Sequence, residues 1–533
     1  MSISPSYTGR QMYSKIELRH SEPYDFHHKP YHSSRKRWLM KYDIVIVGAG
    51  VVGTSIAYSL IPYDVSVLLL DKNNDVAMGA TRANSAIIHA GYDPRPGTLM
   101  ARLNVEGNRL CEKLCSDLSV PFKRCGSLVL AFSEEEKSTL QELFERGVKN
   151  GVPDLRILDA AELRKLEPEI GEEAVAALYA PSAGIVNPWE LCLAQAEVFV
   201  RNGGIFESNA EVTGIVQEKD TYIIETSKGT FEASIVILAC GIQADTVHGL
   251  IAKPDFQIVP TRGEYFLLDK SEGGKVSHVI FQCPNELGKG VLVAPTVHGN
   301  MICGPTSEVL KEDIEDTATT SAKLAEIKSK AARSVGNISW RDNVRNFSGI
   351  RANSTADDFI IREIPGNKGI FEAAGIKSPG LASSPAIGPY MVELLKSNGV
   401  VLTEKKVGYD MTRKKIHFRD MSNEERAKLV ASDPAYGRIV CRCEGVTEGE
   451  IRDALESPIP PCSLDAVKRR AGTGMGRCQG GFCGPRIVEM MIAQSESSAC
   501  PCGSKKLPPT YLSILQDAEG SNLFFTRQTE VES

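Results

Sequence analysis

The chain has 533 residues, 42% hydrophobic and 24% charged, which is ordinary globular usage and long enough for several domains with sizeable cores. Lys and Arg number 61 against 67 Asp and Glu, and the formal charge of −6 gives no field for gathering nucleic acid, so no nucleic-acid partner is expected. No apolar run approaches the roughly 20 residues that span a bilayer, and no transmembrane segment is expected.

Residues 1–41 are polar, carry Arg35-Lys-Arg37 and hold four of the nine histidines, His20, His27, His28 and His32. They are expected to form a disordered extension. Fourteen cysteines without a secretory signal point to a reducing compartment, the cytoplasm in the first instance. Import into a mitochondrion-related organelle through the extension is the alternative, although Glu17, Glu22 and Asp25 do not suit a transit peptide.

From Tyr42 the pattern becomes regular. A branched apolar run, Tyr42 to Val47, enters Gly48-Ala-Gly50-Val-Val-Gly53 and a helical stretch to Leu60; a second run, Val65 to Leu70, ends at Asp71. This is the strand, tight turn, helix and strand of a dinucleotide-binding unit. Gly48 makes the turn, Gly50 lets backbone approach a diphosphate, Gly53 lets helix and strand pack closely, and Asp71 accepts a ribose hydroxyl. Further on, Asn187-Pro-Trp189 opens a helix to Arg201, and Ser234 to Cys240 is a buried parallel strand, so the nucleotide domain is interrupted and resumed. Val212 sits where a strand edge meets an adenine by backbone bonds, with a plain hairpin strand as the alternative. Residues 404–437 are charged and loosely patterned and are expected to be a linker.

Near the C-terminus stand Cys441-Arg-Cys443 and, after 34 residues, Cys478-Gln-Gly-Gly-Phe-Cys483. Four thiolates satisfy two tetrahedral irons, and the neighbouring glycines let amides approach the sulfurs; structural zinc is the alternative, although its close cysteine pairs usually have two to four residues between them. A cluster passes single electrons whereas most organic substrates give up two at once, so flavin, which handles both, is the dinucleotide implied. Thr447-Glu-Gly-Glu450 is a capping box that starts a short helix, and Pro485 opens another. Cys462, Cys500 and Cys502 are left over, with Cys500-Pro-Cys502 as a second ligand pair or as free thiols.

Several candidate residues carry chemistry of their own. His89 suits the base that takes a hydroxyl proton, since neutral imidazole is plentiful near pH 7. Arg351 and Arg262 end strand-like runs and offer guanidinium forks to an anion. Tyr265 stands ready to close over a ring. Ser384-Pro385 is an N-cap and first-position proline pair that predicts a helix toward Leu395, its N-terminus and Lys377 favouring negative charge on a reduced flavin.

The GAGVVG turn, Ala80-Thr-Arg-Ala-Asn84-Ser85 leading to His89, Ala239-Cys-Gly241, Arg262-Gly-Glu-Tyr265 and Ala374-Gly375-Ile-Lys377-Ser-Pro-Gly380-Leu381 together resemble the FAD-dependent oxidoreductases of the D-amino-acid-oxidase and glycerol-3-phosphate-dehydrogenase superfamily. The resemblance covers roughly 42–400, in a domain expected to span 42–403, and implies FAD contacts at Asn84, Ser85 and Gly241, with Gly375, Lys377, Gly380 and Leu381 against the isoalloxazine. The cysteine spacing in 438–492 resembles the bacterioferritin-associated-ferredoxin-like 2Fe-2S domain found on the A subunit of anaerobic glycerol-3-phosphate dehydrogenases. Residues 493–533 form a tail.

The expected architecture is therefore an α/β, doubly wound FAD domain interleaved with a mixed-sheet substrate domain, then a small helical iron–sulfur domain. The expected function is oxidation of a small anionic secondary alcohol, first sn-glycerol 3-phosphate, with electrons leaving through the cluster to an acceptor protein or quinone-linked subunit. Membrane-bound glycerol-3-phosphate dehydrogenases carry an arginine shortly after the segment where this chain reads His89-Ala-Gly-Tyr-Asp93, and the stretch Asn84-Ser85 to His89, then Pro96-Gly-Thr-Leu99, also resembles L-2-hydroxyglutarate oxidase. A 2-hydroxy acid or an amino acid is the alternative substrate, and an electron-transfer subunit without turnover the alternative role.

Overall fold

A computed structural model describes residues 40–284 and 290–497. The histidines of the N-terminal extension, Cys500 and Cys502 lie outside the described residues.

The first strand, Met40–Val47, begins two residues before the expected Tyr42, and its last four side chains are all buried. It is the centre of an eight-stranded sheet. On one side it pairs in parallel with Val67–Leu70, which pairs with Ile205–Glu207; on the other it pairs in parallel with Gly229–Leu238. The antiparallel strands Val212–Glu218 and Thr221–Thr226 finish that edge, and Ile370–Ala374 adds a further parallel pairing to Gly229–Leu238. Strands covered on both faces must be apolar throughout, which is why Val67–Leu70 reads VLLL with every residue buried. The helices Val51–Leu60, Pro188–Arg201 and Gly380–Ser397 pack on one face around Ile44, Ile46, Leu60, Leu69 and Phe371.

Between Leu70 and Ile205 the chain leaves this sheet to build another, then returns, which is the interleaving expected. The second sheet has nine strands. Its spine is the long antiparallel pair Ile258–Leu268 and Asn343–Ser354, and the parallel pairing of Val279–Gln282 with Ser127–Ala131 makes it mixed.

The predicted start of the helix near residue 384 is corrected. The helix runs Gly380–Ser397, with Pro385 and Pro389 inside it. Proline 385 has no N–H for the Leu381 carbonyl four residues back, and the Ser384 hydroxyl donates to that carbonyl instead, at 2.9 Å. Ser384 therefore repairs a turn rather than capping one.

The stretch 404–437 is built rather than loose. Lys405 N–H donates to Pro62 O at 2.7 Å, Asp410 accepts from Arg201, and Asn423–Ser432 is a helix with a Ser422/Glu425 capping box. Beyond it, the hairpin of Ile439–Cys441 and Val446–Thr447 and the helices Glu448–Leu455, Leu464–Ala471 and Gly484–Ser497 enclose a small core of Cys441, Ile451, Val467, Cys483 and Ile487. The Thr447/Glu450 capping box is present.

Candidate functional site

One cavity of about 1370 Å³ runs along the carboxyl ends of the first sheet, across the face of the second, and under the C-terminal helices. That exceeds the roughly 300–1,000 Å³ of common ligand pockets and matches a dinucleotide plus a small substrate.

At its nucleotide end, glycine is required at two places. A Cβ on Gly48, whose φ is +105°, would lie 2.3 Å from Ala239 O, and one on Gly53 would lie 1.9 Å from Gly48 O. Gly48, Gly50 and Asp71 line the cavity, whereas Gly53 acts through packing. The Asp71 carboxylate accepts from Ala49 N–H at 2.7 Å and from Asn73 N–H at 2.8 Å, which aims it; burial nonetheless raises its pKa. Val212, at the start of the edge strand, and Gly241, with φ +57°, complete this end.

The loop Ala80 to His89 forms the floor. Asn84 spends its side chain on the loop itself, donating to Ala80 O and Thr81 O and accepting from Ala86 N–H. Gly349 lets the loop touch the second sheet, since a Cβ there would lie 1.9 Å from Ala83 O. Ser85 Oγ reaches Tyr265 Oη at 3.2 Å, and the Tyr265 ring stacks on Phe347 with centroids 4.8 Å apart. Lys377, Gly380 and Leu381 line the opposite wall; Gly375, with φ +64°, does not, and turns the backbone toward them.

His89 faces the same space. Its carbonyl is pinned by Asn104 and Asn108 from the helix Leu99–Asp117, its ring stacks on Phe281 at 5.5 Å, and its Nε2 lies 3.4 Å from Ser378 Oγ. Arg351 enters from the strand Asn343–Ser354. Its Nη2 donates to Thr306 O at 2.5 Å, while its Nε is buried with no hydrogen-bond partner among the described residues. Gly263 makes room for it, as a Cβ there would lie 2.3 Å from Arg351 Nη2.

Arg262 is corrected as an anion-binding residue. It is buried and off the cavity wall, with Nη1 on Asp316 at 2.5 Å, Nη2 on Glu308 at 2.8 Å and Glu264 beyond. The reason is strand parity: Tyr265 points into the cavity, and a residue three positions earlier on the same strand points to the other face.

The four C-terminal cysteines stand as two pairs. Cys441 and Cys483 lie together in the small core, and the Cys443 and Cys478 sulfurs are 3.3 Å apart toward solvent. The Cys483 thiol and the Gly474 amide beside Cys441 pull its pKa down to about 6. Burial opposes ionisation of Cys478, but Cys443 and the Gly480 and Phe482 amides hold its pKa below the ordinary value. Gly476 lets the loops close, since a Cβ there would lie 2.4 Å from Cys443 Cβ. Among the described residues no three His, Cys, Asp or Glu side chains converge as a single metal site. Two pairs are what two irons with bridging sulfides ask for, whereas one tetrahedral zinc asks for a single converging set. Cys462 lies apart, its sulfur 3.3 Å from Asn74 O.

Sequence reasoning missed what the C-terminal region does to this cavity. Asp75, in the loop after Val67–Leu70, is held by Arg469 and Arg470 of the helix Leu464–Ala471, and all three are buried. His298, Arg419 and Glu444 form a second junction: Arg419 donates to His298 Nδ1 at 2.9 Å and to Glu444 at 3.1 Å, and Lys270 joins at 2.8 Å.

Comparison with known proteins agrees with this arrangement. Residues 43–394 match the FAD dependent oxidoreductase family and residues 439–493 match the BFD-like [2Fe-2S] binding domain. The chain is similar to the glycerol 3-phosphate dehydrogenase of Caloramator mitchellensis, 47% identical over 457 residues that make up 85% of this chain and 94% of that one. The glycerol 3-phosphate oxidase of Mycoplasma genitalium is 35% identical over 67% of this chain and 95% of its own. The FAD-bound L-alpha-glycerophosphate oxidase of Mycoplasma pneumoniae superposes with a TM-score of 0.67 at 30% identity, covering 70% of this chain and 98% of that one. The protein thus belongs to the FAD dependent oxidoreductase family and carries a [2Fe-2S] binding domain behind its catalytic fold.

Proposed function

We propose that the protein oxidises sn-glycerol 3-phosphate to dihydroxyacetone phosphate in this cavity and delivers the electrons singly, through the C-terminal cysteines, to an outside acceptor. The observation that carries the reading is the pairing of His89 with Arg351 in the lining of one cavity. The names of the glycerol 3-phosphate relatives support the substrate.

Oxidising a secondary alcohol removes a hydride from carbon and a proton from oxygen. His89 Nε2 is the atom that accepts that proton, and the Ser378 hydroxyl beside it orients the ring. Arg351, whose side chain lines the cavity, holds the anionic end of the substrate through its guanidinium. Tyr265, fixed by Phe347 and Ser85, covers the reacting end and excludes water. Asp71 keeps acceptor capacity for ribose hydroxyls, and the Gly48 turn brings bare backbone to a diphosphate. Bound FAD supplies a two-electron acceptor and a bound 2Fe-2S cluster a one-electron outlet. Cys441, Cys443, Cys478 and Cys483 would hold the cluster, one pair to each iron. Cys443 is exposed, as is the Phe482 ring next to Cys483, so the acceptor meets the protein on that side.

Anaerobic mixing with a panel of glycerol 3-phosphate, L-2-hydroxyglutarate and amino acids tests this. Glycerol 3-phosphate should bleach the flavin fastest. Bleaching by 2-hydroxyglutarate alone would install the 2-hydroxy acid, and no bleaching at all would leave an electron-transfer subunit.

A further inference from the structure

Three cations from three separate parts of the chain meet on one stretch of the cavity wall. Arg82 comes from the floor loop, Arg345 from the strand Asn343–Ser354, and Lys468 from the helix Leu464–Ala471 of the iron–sulfur region. All are close enough to act on one another electrostatically. The carboxylate that shares the spot, Asp465, is already bonded to Arg469. Lys468 is 6% exposed, and among the described residues no hydrogen bond or ion pair reaches the ends of the Arg82, Arg345 or Lys468 side chains.

A buried cation without a partner is costly, and Lys468 is buried with two half-buried guanidiniums and one committed carboxylate beside it. Burial above all, and then the Arg345 guanidinium, push the Lys468 ammonium down to about 7. Cations arriving from three directions suit a ligand with several acceptor oxygens and more than one negative charge. Phosphate has both properties; a carboxylate offers only two oxygens.

We propose that Arg82, Arg345 and Lys468 form a binding site for a phosphate group at the seam between the flavin domain and the iron–sulfur region. The group comes either from the diphosphate of FAD or from a free phosphate compound. In both cases a residue of the iron–sulfur region holds a ligand of the flavin domain's cavity, and occupancy stabilises the closed seam by mass action. The inference does not rest on the substrate proposed above, because its readouts are binding.

The test uses the full-length holoprotein with Lys468→Met, Arg345→Met and the charge-keeping Lys468→Arg. Two quantities are measured: the Kd of FAD on reconstituting the apoprotein, and calorimetric binding of inorganic phosphate to the holoprotein. If FAD is the source, both Met variants weaken FAD by about tenfold or more while Lys468→Arg stays near the parent. If a free phosphate is the source, FAD binding is unchanged, and the holoprotein binds inorganic phosphate with an affinity that both Met variants lose. Unchanged FAD affinity in the Met variants together with no phosphate binding by the parent overturns the proposal, as does phosphate binding that neither Met variant alters. Arg345 lies outside the helix that carries Lys468, so if one Met variant fails to fold the other decides.

Discussion

Asp75 and Arg470 face each other through two hydrogen bonds, each 2.8 Å long, although 395 residues separate them in the chain. Both side chains are 2% exposed. Burial alone would raise the Asp75 pKa, but Arg470 and Arg469 outweigh it and hold it at about 2. The pair fastens the helix Leu464–Ala471 onto the loop that follows the second strand of the flavin domain.

Asp75→Asn should therefore leave two buried arginines short of charge and cost on the order of 3 kcal/mol of stability. Since the folded pKa is depressed, the contribution is complete above the unfolded value of about 3.9 and disappears as the pH falls toward 2. Denaturant melts at neutral pH should show the loss, and the gap between variant and parent should narrow on acidification.

His298 sets a second pH dependence, in a milder range. Burial, with Arg419 beside it, lowers its pKa to about 4. Between about 6.5 and 4 the unfolded chain takes up a proton that the folded protein refuses, so stability rises with pH across that window. His298→Gln should flatten this slope, as read from melting midpoints at pH 4.5, 5.5 and 6.5.

His89→Ala should slow flavin reduction by about a hundredfold or more, with FAD content unchanged. Stopped-flow absorbance with glycerol 3-phosphate reads the rate directly. Reduction at the parent rate would remove His89 from proton transfer.

Arg351→Met should act mainly on substrate binding, raising KM by at least about tenfold, because the lost contact is to an anion that does not react. Arg262→Met should instead lower stability, leaving Asp316, Glu308 and Glu264 without their shared cation. Steady-state kinetics and a melting curve on both variants separate the two roles.

Cys443→Ser, at the exposed pair, should deplete bound iron and sulfide while leaving substrate-dependent flavin bleaching intact. Electron delivery to one-electron acceptors should fall sharply in the same preparation. Iron and sulfide analysis alongside anaerobic bleaching checks both halves.

The legible parts of this protein were those whose chemistry is local. Gly48 and Gly53 announce a strand, turn and helix within six positions, because the backbone contacts that forbid a Cβ there are made inside that unit and against one neighbouring strand. The two cysteine pairs are legible for the same reason: a metal centre needs particular atoms at short spacing. Arg351 and Arg262 looked alike as letters at the ends of strand-like runs, and only the register of the second sheet put one in the cavity and the other against three carboxylates. Ser384-Pro385 read as a helix start because the sequence does not say whether a serine will cap a turn or mend one.

The sequence by itself determined the cofactor class, the interleaved fold and the presence of an outlet for single electrons, since each is written in short patterns of glycine, cysteine and branched residues. The tertiary structure decided how the outlet is fastened to the flavin domain and where its charges fall. Asp75 with Arg470, His298 with Arg419, and Lys468 with Arg345 are ordinary charged or polar residues by sequence. They gain their roles only because folding takes all or part of each side chain out of water and sets the two members of each pair side by side.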